Sequence, residues 1–288
     1  MFIRKLMATT ALIIISSTAH ANSVEFEQFG TNNVATLEQV GQANNIIGQQ
    51  YGDSNETTVN QNGNGNLAAA FSGNFNNNAV GVNTRILQNG NENNAQVFSA
   101  SSVNLSEGLA IEQSGNNNGA LIEVSGAAAD ANAAQITQQG NSNGAQTSIL
   151  NGPAGNNTSS TSVFGNNNNT DHVISGDGNI VFNAVSGNSN LSSHDLFGNN
   201  NQTTVTVEGN NNRVYSRNSG NYNEFQLAQT GSNNEMTVLG ESGNAFNFVA
   251  AEQGGSFNNA RITQNGQNLN ATLSQIGSDN RAVINQRN

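Results

Sequence analysis

The chain has 288 residues, with nineteen Asp and Glu against eight Lys and Arg, a net charge of −11, and only 9% charged residues in all. An acidic chain without clustered Lys and Arg has nothing to hold phosphates, which excludes nucleic acid as a partner. Cysteine is absent, so disulfides, thiolate chemistry and cysteine-based zinc sites are excluded together, and cohesion has another source.

At the N-terminus Arg4 and Lys5 precede an apolar run through Ala11, Leu12, Ile13, Ile14 and Ile15, followed by the small-x-small sequence Ala19-His20-Ala21. This pattern predicts a signal peptide over 1–21 and an exported mature chain starting near Asn22. Removing Arg4 and Lys5 leaves six Arg against nineteen acidic residues, or −13. No later stretch approaches the roughly 18 apolar residues of a membrane helix, so no membrane span is expected.

The remainder is rich in Asn, a composition usually read as disordered low complexity. Period argues otherwise. Gly165, Gly176, Gly187, Gly198, Gly209, Gly220 and Gly231 follow one another every eleven residues, and Gly30, Gly41, Gly52 and Gly63 do the same near the N-terminus. Fixed self-similarity of this kind marks a solenoid or array. Asn recurs three residues after the glycine, as in the pairs Gly30 and Asn33, Gly41 and Asn44, Gly52 and Asn55, Gly63 and Asn66, Gly198 and Asn201, Gly209 and Asn212, and Gly277 and Asn280. These blocks are expected to be turns, because Gly and Asn tolerate positive φ.

Between turns the residues alternate, as in Ala35, Leu37 and Gln39 or Thr57, Val59 and Gln61, which is the period of a strand. Positions three, five, seven and nine after each glycine then share the inward face. One strand plus one turn takes eleven residues, and two such halves return the chain over its own start. The expected fold is therefore all-β: a β-solenoid resembling a parallel β-helix, with two strands per rung of about 22 residues, about eleven rungs and two facing parallel sheets. At about 4.8 Å per rung its body is on the order of 50 Å long.

Gln recurs two residues before the glycine position, at Gln28, Gln39, Gln50, Gln61, Gln88, Gln113, Gln138, Gln229, Gln253, Gln264, Gln275 and Gln286. A buried amide without partners costs roughly 1–3 kcal/mol. Stacking removes that cost, because each amide donates to its equivalent one rung away in a structural ladder.

The blocks Gln28-Phe29-Gly30-Thr31-Asn32-Asn33-Val34-Ala35 and Gln39-Val40-Gly41-Gln42-Ala43-Asn44-Asn45-Ile46 resemble the curlin repeat of bacterial curli. The resemblance implies an amyloid-forming subunit of extracellular, fimbrium-like fibres that serve cell adhesion and biofilm matrix. It also implies self-association, a related nucleating or co-polymerising repeat protein as partner, and a dedicated secretion pore. Coverage of 22–288 is uneven. In the central rungs, about 151–219, the ladder Gln is replaced by Val163, Ile174, Val185, Leu196 and Val207.

The motif runs from Val24 to Gln286 without a polar cap, so each end is expected to offer a strand edge to another copy and growth to be head-to-tail and open. Glu25, Glu27, Glu38, Glu112 and Glu123 fall on outward positions and are read as gatekeepers that slow pairing. The alternative is a non-polymerising secreted solenoid adhesin or surface component.

Few residues suggest other chemistry. His172 and His194 both lie seven residues after a glycine and twenty-two apart, so they are expected to stack inward as a pH-sensitive pair titrating near pH ~6.5. Two imidazoles without an inward carboxylate make a poor metal cage, and no metal site is assigned. Arg213 and Glu235 are expected to pair on the surface, and Gly176-Asp177-Gly178-Asn179 lacks the recurring Asp of calcium-binding turns. No phased Ser-His-Asp set or inward Asp, Arg and Lys cluster emerges, so no catalytic residue, cofactor or enzymatic activity is expected.

Overall fold

The computed structural model describes residues 10–16, 22–73, 79–99, 108–125, 132–151, 155–241, 243 and 245–288. Each eleven-residue unit becomes a strand of up to nine residues and a short corner. Ile180–Asn188 and Leu191–Asn199, for example, are separated only by Ser189 and Asn190. Within a strand, burial follows the predicted alternation: in Gln202–Asn210 the side chains of Thr203, Val205 and Val207 are buried, and their neighbours face outward.

Successive strands go to opposite sheets. Among the described residues the strands form one sheet of twelve and one of thirteen, all parallel, and a strand pairs with the one two places further along the chain except around Ala79–Val80, where the step is three. In the thirteen-stranded sheet Leu67–Ser72 and Ala79–Val80 share one position, both pairing with Asn45–Asp53. The molecule is a β-solenoid of about eleven turns with about 22 residues per turn, and no helix occurs among the described residues. The register is typified by Val34↔Glu56 through Gln42↔Asn64, with Gly41 over Gly63. Longer separations, such as Glu56↔Asn83, keep the same inward residues aligned.

The interior lies between the two sheets. One cluster of buried aliphatics runs from Ala35 to Leu196, with Val24 and Phe26 packed against it. A second runs from Val185 to Ala271, flanked by Leu273 and Ile284.

The corners differ in one respect from the sequence reading. The glycines have φ near +115°, as at Gly30 and Gly52, but the second positive φ falls on the residue before the Asn: Asn32, Ala43, Ser54, Ser189, Asn200 and Asn211. The Asn three places after the glycine takes ordinary backbone angles and turns its side chain inward, so its role is hydrogen bonding. The glycine is required by crowding as well as by φ. A Cβ on Gly30 would lie 1.9 Å from the carbonyl oxygen of Gly52 in the next rung.

Thr10–Ser16 forms a strand in parallel register with Val34–Gln42, at one edge of the twelve-stranded sheet. The sequence reading assigns that stretch to the leader.

Candidate functional site: amide columns and strand edges

No cleft of converging catalytic groups occurs among the described residues, and none of their His, Asp and Glu form a group of three or more able to hold a metal ion. The chemistry that recurs is the stacked amide. In the twelve-stranded sheet Gln39 donates to Gln61 at 2.9 Å, Gln61 to Gln88 at 2.8 Å, Gln88 to Gln113 at 3.0 Å and Gln113 to Gln138 at 2.9 Å. Val163, Val185 and Val207 occupy the next three rungs of that column. It resumes at Gln229, which donates to Gln253 at 2.8 Å, and Gln253 donates to Gln275 at 2.8 Å. The interruption has a cost: Gln229 Oε1, facing the Val207 rung, is buried without a donor.

The other four glutamines belong to the opposite sheet. Gln28 donates to Gln50 at 2.7 Å, and Gln264 to Gln286 at 2.9 Å. Between them this column passes through Ser72, Ser99, Val124, Ile149, Ile174, Leu196, Asn218 and Gly240. The twelve glutamines therefore form two separate columns, each interrupted.

A longer column was not singled out as a ladder in the sequence. Asn44, Asn66, Asn93, Asn118, Asn143, Asn168, Asn190, Asn212, Asn234, Asn258 and Asn280 stack at one corner. Asn143 is typical: its Nδ2 donates to Asn118 Oδ1 at 3.1 Å and to the Gly165 carbonyl at 2.7 Å. Its Oδ1 accepts from both the backbone N–H and Nδ2 of Asn168, at 3.1 and 3.2 Å. The short side chain thus ties its corner to both neighbouring rungs. Asn22 Oδ1 extends the column by one place, accepting from the Asn44 N–H at 3.0 Å. At the opposite corner Asn33 and Asn55 are linked in the same way, as are Asn157, Asn179, Asn201 and Asn223. The regular Gly-x-x-Asn spacing is the signal that could have revealed these columns.

His172 and His194 face each other in adjacent rungs, fully buried, with ring centroids 5.5 Å apart. Their partners are neutral. His172 Nδ1 lies 3.0 Å from Ser159 Oγ and Nε2 lies 3.0 Å from Asn183 Nδ2, while His194 lies 2.7 Å from Ser192 Oγ and 2.8 Å from Ser216 Oγ. Burial pushes the His172 pKa down to about 3, and burial with the neighbouring His172 pushes His194 well below its usual value. The expected titration near pH 6.5 is therefore moved into strong acid in the folded chain. Outside them, burial and then the Asp195 carboxylate raise the pKa of Asp171.

Arg213 and Glu235 are register partners, but the Glu235 carboxylate accepts from Asn259 Nδ2 at 2.9 Å. The ion pairs that do form include Arg85 with Glu112 at 2.8 Å and Arg217 with Asp195 at 3.3 Å. Exposed pairs of this kind contribute about 0–1 kcal/mol.

The last element of the site is the pair of strand edges. Asn270–Ser278 and Arg281–Arg287 stand at one edge of the two sheets, and Ser23–Thr31 stands at the other edge of the thirteen-stranded sheet. Residues 247–277 and 258–287, which contribute Gln253, Gln264, Gln275, Asn258 and Asn280 to the columns, match the curlin associated repeat. Residues 247–287 carry curlin associated repeats. Both matches fall in its C-terminal rungs, where the Gln and Asn columns are both present. No curated protein matches the chain. No helix among the described residues is long and apolar enough to cross a membrane. The inward side chains bond along the stack, and the backbone groups of the edge strands face outward along its axis.

Proposed function

We propose that the chain is the structural subunit of extracellular curli-like fibres that serve cell adhesion and biofilm matrix, growing by head-to-tail stacking of rungs after export and removal of residues 1–21. The observation that carries this reading is that the edge strands repeat the interior. Asn270–Ser278 presents Ala271, Leu273 and Gln275 inward, and Val34–Gln42 presents Ala35, Leu37 and Gln39. An edge whose inward residues match those of the Gln-bearing interior rungs, such as Thr57, Val59 and Gln61, is a template for one more rung. The curlin repeats in 247–287 support the same reading. No catalytic role accompanies it; the chain acts through its own copies and, by family resemblance, through a related repeat protein that nucleates or joins the fibre.

The test is direct. The chain from Asn22 onward, held at high concentration for days, is expected to form fibres with a meridional reflection near ~4.7 Å. A solution that stays monomeric by sedimentation would overturn the reading in favour of a secreted solenoid adhesin that does not polymerise.

A further inference from the structure

We propose that consecutive copies in the fibre are related by a half-turn about its axis. In this joint Asn270–Ser278 of one copy pairs with Ser23–Thr31 of the next, and Arg281–Arg287 pairs with Val34–Gln42. The proposal rests on the fibre reading above and on removal of residues 1–21.

Parity decides it. Without Thr10–Ser16 the twelve-stranded sheet keeps eleven strands, while the other sheet has twelve stacked positions, one of them shared by Leu67–Ser72 and Ala79–Val80. From Ser23 to Arg287 the described strands therefore make an odd number of half-rungs. Its first strand, Ser23–Thr31, lies in the same sheet as its last, Arg281–Arg287. The chain path alternates between sheets, so the position that follows Arg281–Arg287 belongs to the sheet of Asn270–Ser278. Only a copy turned by half a revolution puts Ser23–Thr31 there.

A copy added without rotation would set Ser23–Thr31 directly over Arg281–Arg287 and leave one strand position empty between Asn270–Ser278 and Val34–Gln42. Charge favours this unrotated joint, since it brings the exposed Glu25 and Glu27 near the exposed Arg281 and Arg287. The empty strand outweighs it. Two exposed ion pairs contribute little, whereas the gap leaves the backbone groups of two strands without partners and opens the interior to water.

In the rotated joint every column continues. With glycine over glycine, as in the interior, Gly277 meets Gly30, Gln275 meets Gln28, Gln286 meets Gln39 and Asn280 meets Asn33. The outward residues also agree. Ile276, 78% exposed in the single copy, comes over the Phe29 ring, which already stacks on Tyr51 at 4.6 Å. Asn285 comes beside Glu38, whose carboxylate accepts from Asn60 Nδ2 at 2.8 Å on its other side. In the full chain Thr10–Ser16 occupies the edge of Val34–Gln42 that this joint needs, so the leader strand and the neighbouring copy compete for one backbone edge.

The chain has no native cysteine, which makes disulfide trapping clean. The chain from Asn22 retains both aliphatic clusters, since their core residues lie between Ala35 and Ala271 and their flanking ones between Val24 and Ile284. Glu27, Ser274 and Asn285 are exposed and outward. Fibres of Glu27→Cys with Ser274→Cys are expected to oxidise to a ladder of covalent oligomers. Fibres of Glu27→Cys with Asn285→Cys are expected to give at least roughly tenfold less, because in the rotated joint those positions lie on opposite sheets, beyond the ~7 Å reach of a disulfide. The full chain carrying residues 1–21 and the Glu27→Cys and Ser274→Cys pair should give no ladder. A ladder from the Asn285 pair would establish the unrotated joint and overturn the proposal. Wild-type-like fibres with neither ladder would overturn the register, and an equal ladder from the leader-bearing chain would overturn the competition at Val34–Gln42. Failure of the unsubstituted chain to form fibres would instead remove the reading beneath it.

Discussion

A single methyl group separates the two kinds of glycine in this chain. At Gly187, φ is +114° and an added Cβ would lie 1.9 Å from the Gly209 carbonyl oxygen, whereas at Gly119 nothing lies within 4 Å. Gly187→Ala is therefore expected to cost more than about 3 kcal/mol, combining a disfavoured backbone with a clash against a rigid neighbour. Gly119→Ala should stay within about 1 kcal/mol of the parent, and urea melts of the two variants check the contrast. Equal losses would mean that the rungs separate easily at the corner. The buried imidazoles give a second test at this scale. His172 has a folded pKa of about 3 against 6.5 unfolded, so below pH 6.5 the unfolded chain takes up a proton that the folded one refuses. Stability is then complete above about pH 6.5 and is lost as pH falls from there toward 3, by up to about 1.4 kcal/mol per unit for this group. Asp171 works in the opposite sense, since its raised pKa favours the folded form as the carboxylate protonates in acid. Replacing both imidazoles, His172→Gln with His194→Gln, should flatten the decline between pH 6.5 and 4.5 in denaturant titrations. An unchanged slope would place the acid sensitivity elsewhere.

A strand of this solenoid is held at its centre by aliphatics and at its ends by amides, and the two amide types differ in how many partners they serve. The Asn143 side chain makes four hydrogen bonds, linking three rungs. The Gln88 side chain makes three, to Gln61, to Gln113 and to the Leu67 carbonyl. At roughly 0.5–1.5 kcal/mol per bond, with more where a buried partner is left bare, Asn143→Leu should cost about 3–4 kcal/mol. Gln88→Met, which keeps volume, should cost about half as much; thermal melts that reverse the order would show that the corner amides are dispensable. Much of this is legible in the sequence. The glycine period set the rung, alternation set the inward face, and the stack of Gln39 on Gln61 followed from both. The division of the glutamines between two sheets was also implicit, because Gln28 and Gln39 are one half-rung apart. The Asn columns are legible only in part: position three after the glycine falls on the inward face by count, but Asn after Gly is also an ordinary turn sequence, and propensity alone does not show that its amide bonds from rung to rung. The histidine titration was missed for a related reason: spacing gives direction, but the depth of burial that shifts a pKa depends on what closes over the residue from both sheets.

At the scale of the whole molecule, the proposed stacking of copies raises the question of what holds two open edges apart before they join. If residues 1–21 are removed as proposed, each copy carries −13 over a body of about 55 Å, taking eleven and a half rungs at about 4.8 Å each. Approach of two copies is therefore resisted over the Debye length, about 30 Å at 10 mM salt and about 8 Å at 150 mM. Within that diffuse repulsion, Glu25, Glu27 and Glu38 have a special place, because in the proposed joint they lie on the outward face of the strands that a second copy would touch. Glu112 lies deep in the body and is already paired with Arg85, and Glu123 is likewise on an interior rung. If the edge carboxylates act as gatekeepers, Glu25→Gln with Glu27→Gln and Glu38→Gln should shorten the fibrillation lag several-fold at low salt. Glu112→Gln with Glu123→Gln should change it little, and adding salt should bring the parent toward the edge variant. The comparison is made by following dye binding at 10 and 150 mM salt for all three chains. Equal shortening by the two sets of substitutions would mean that the carboxylates serve general solubility, since position along the axis would then be irrelevant.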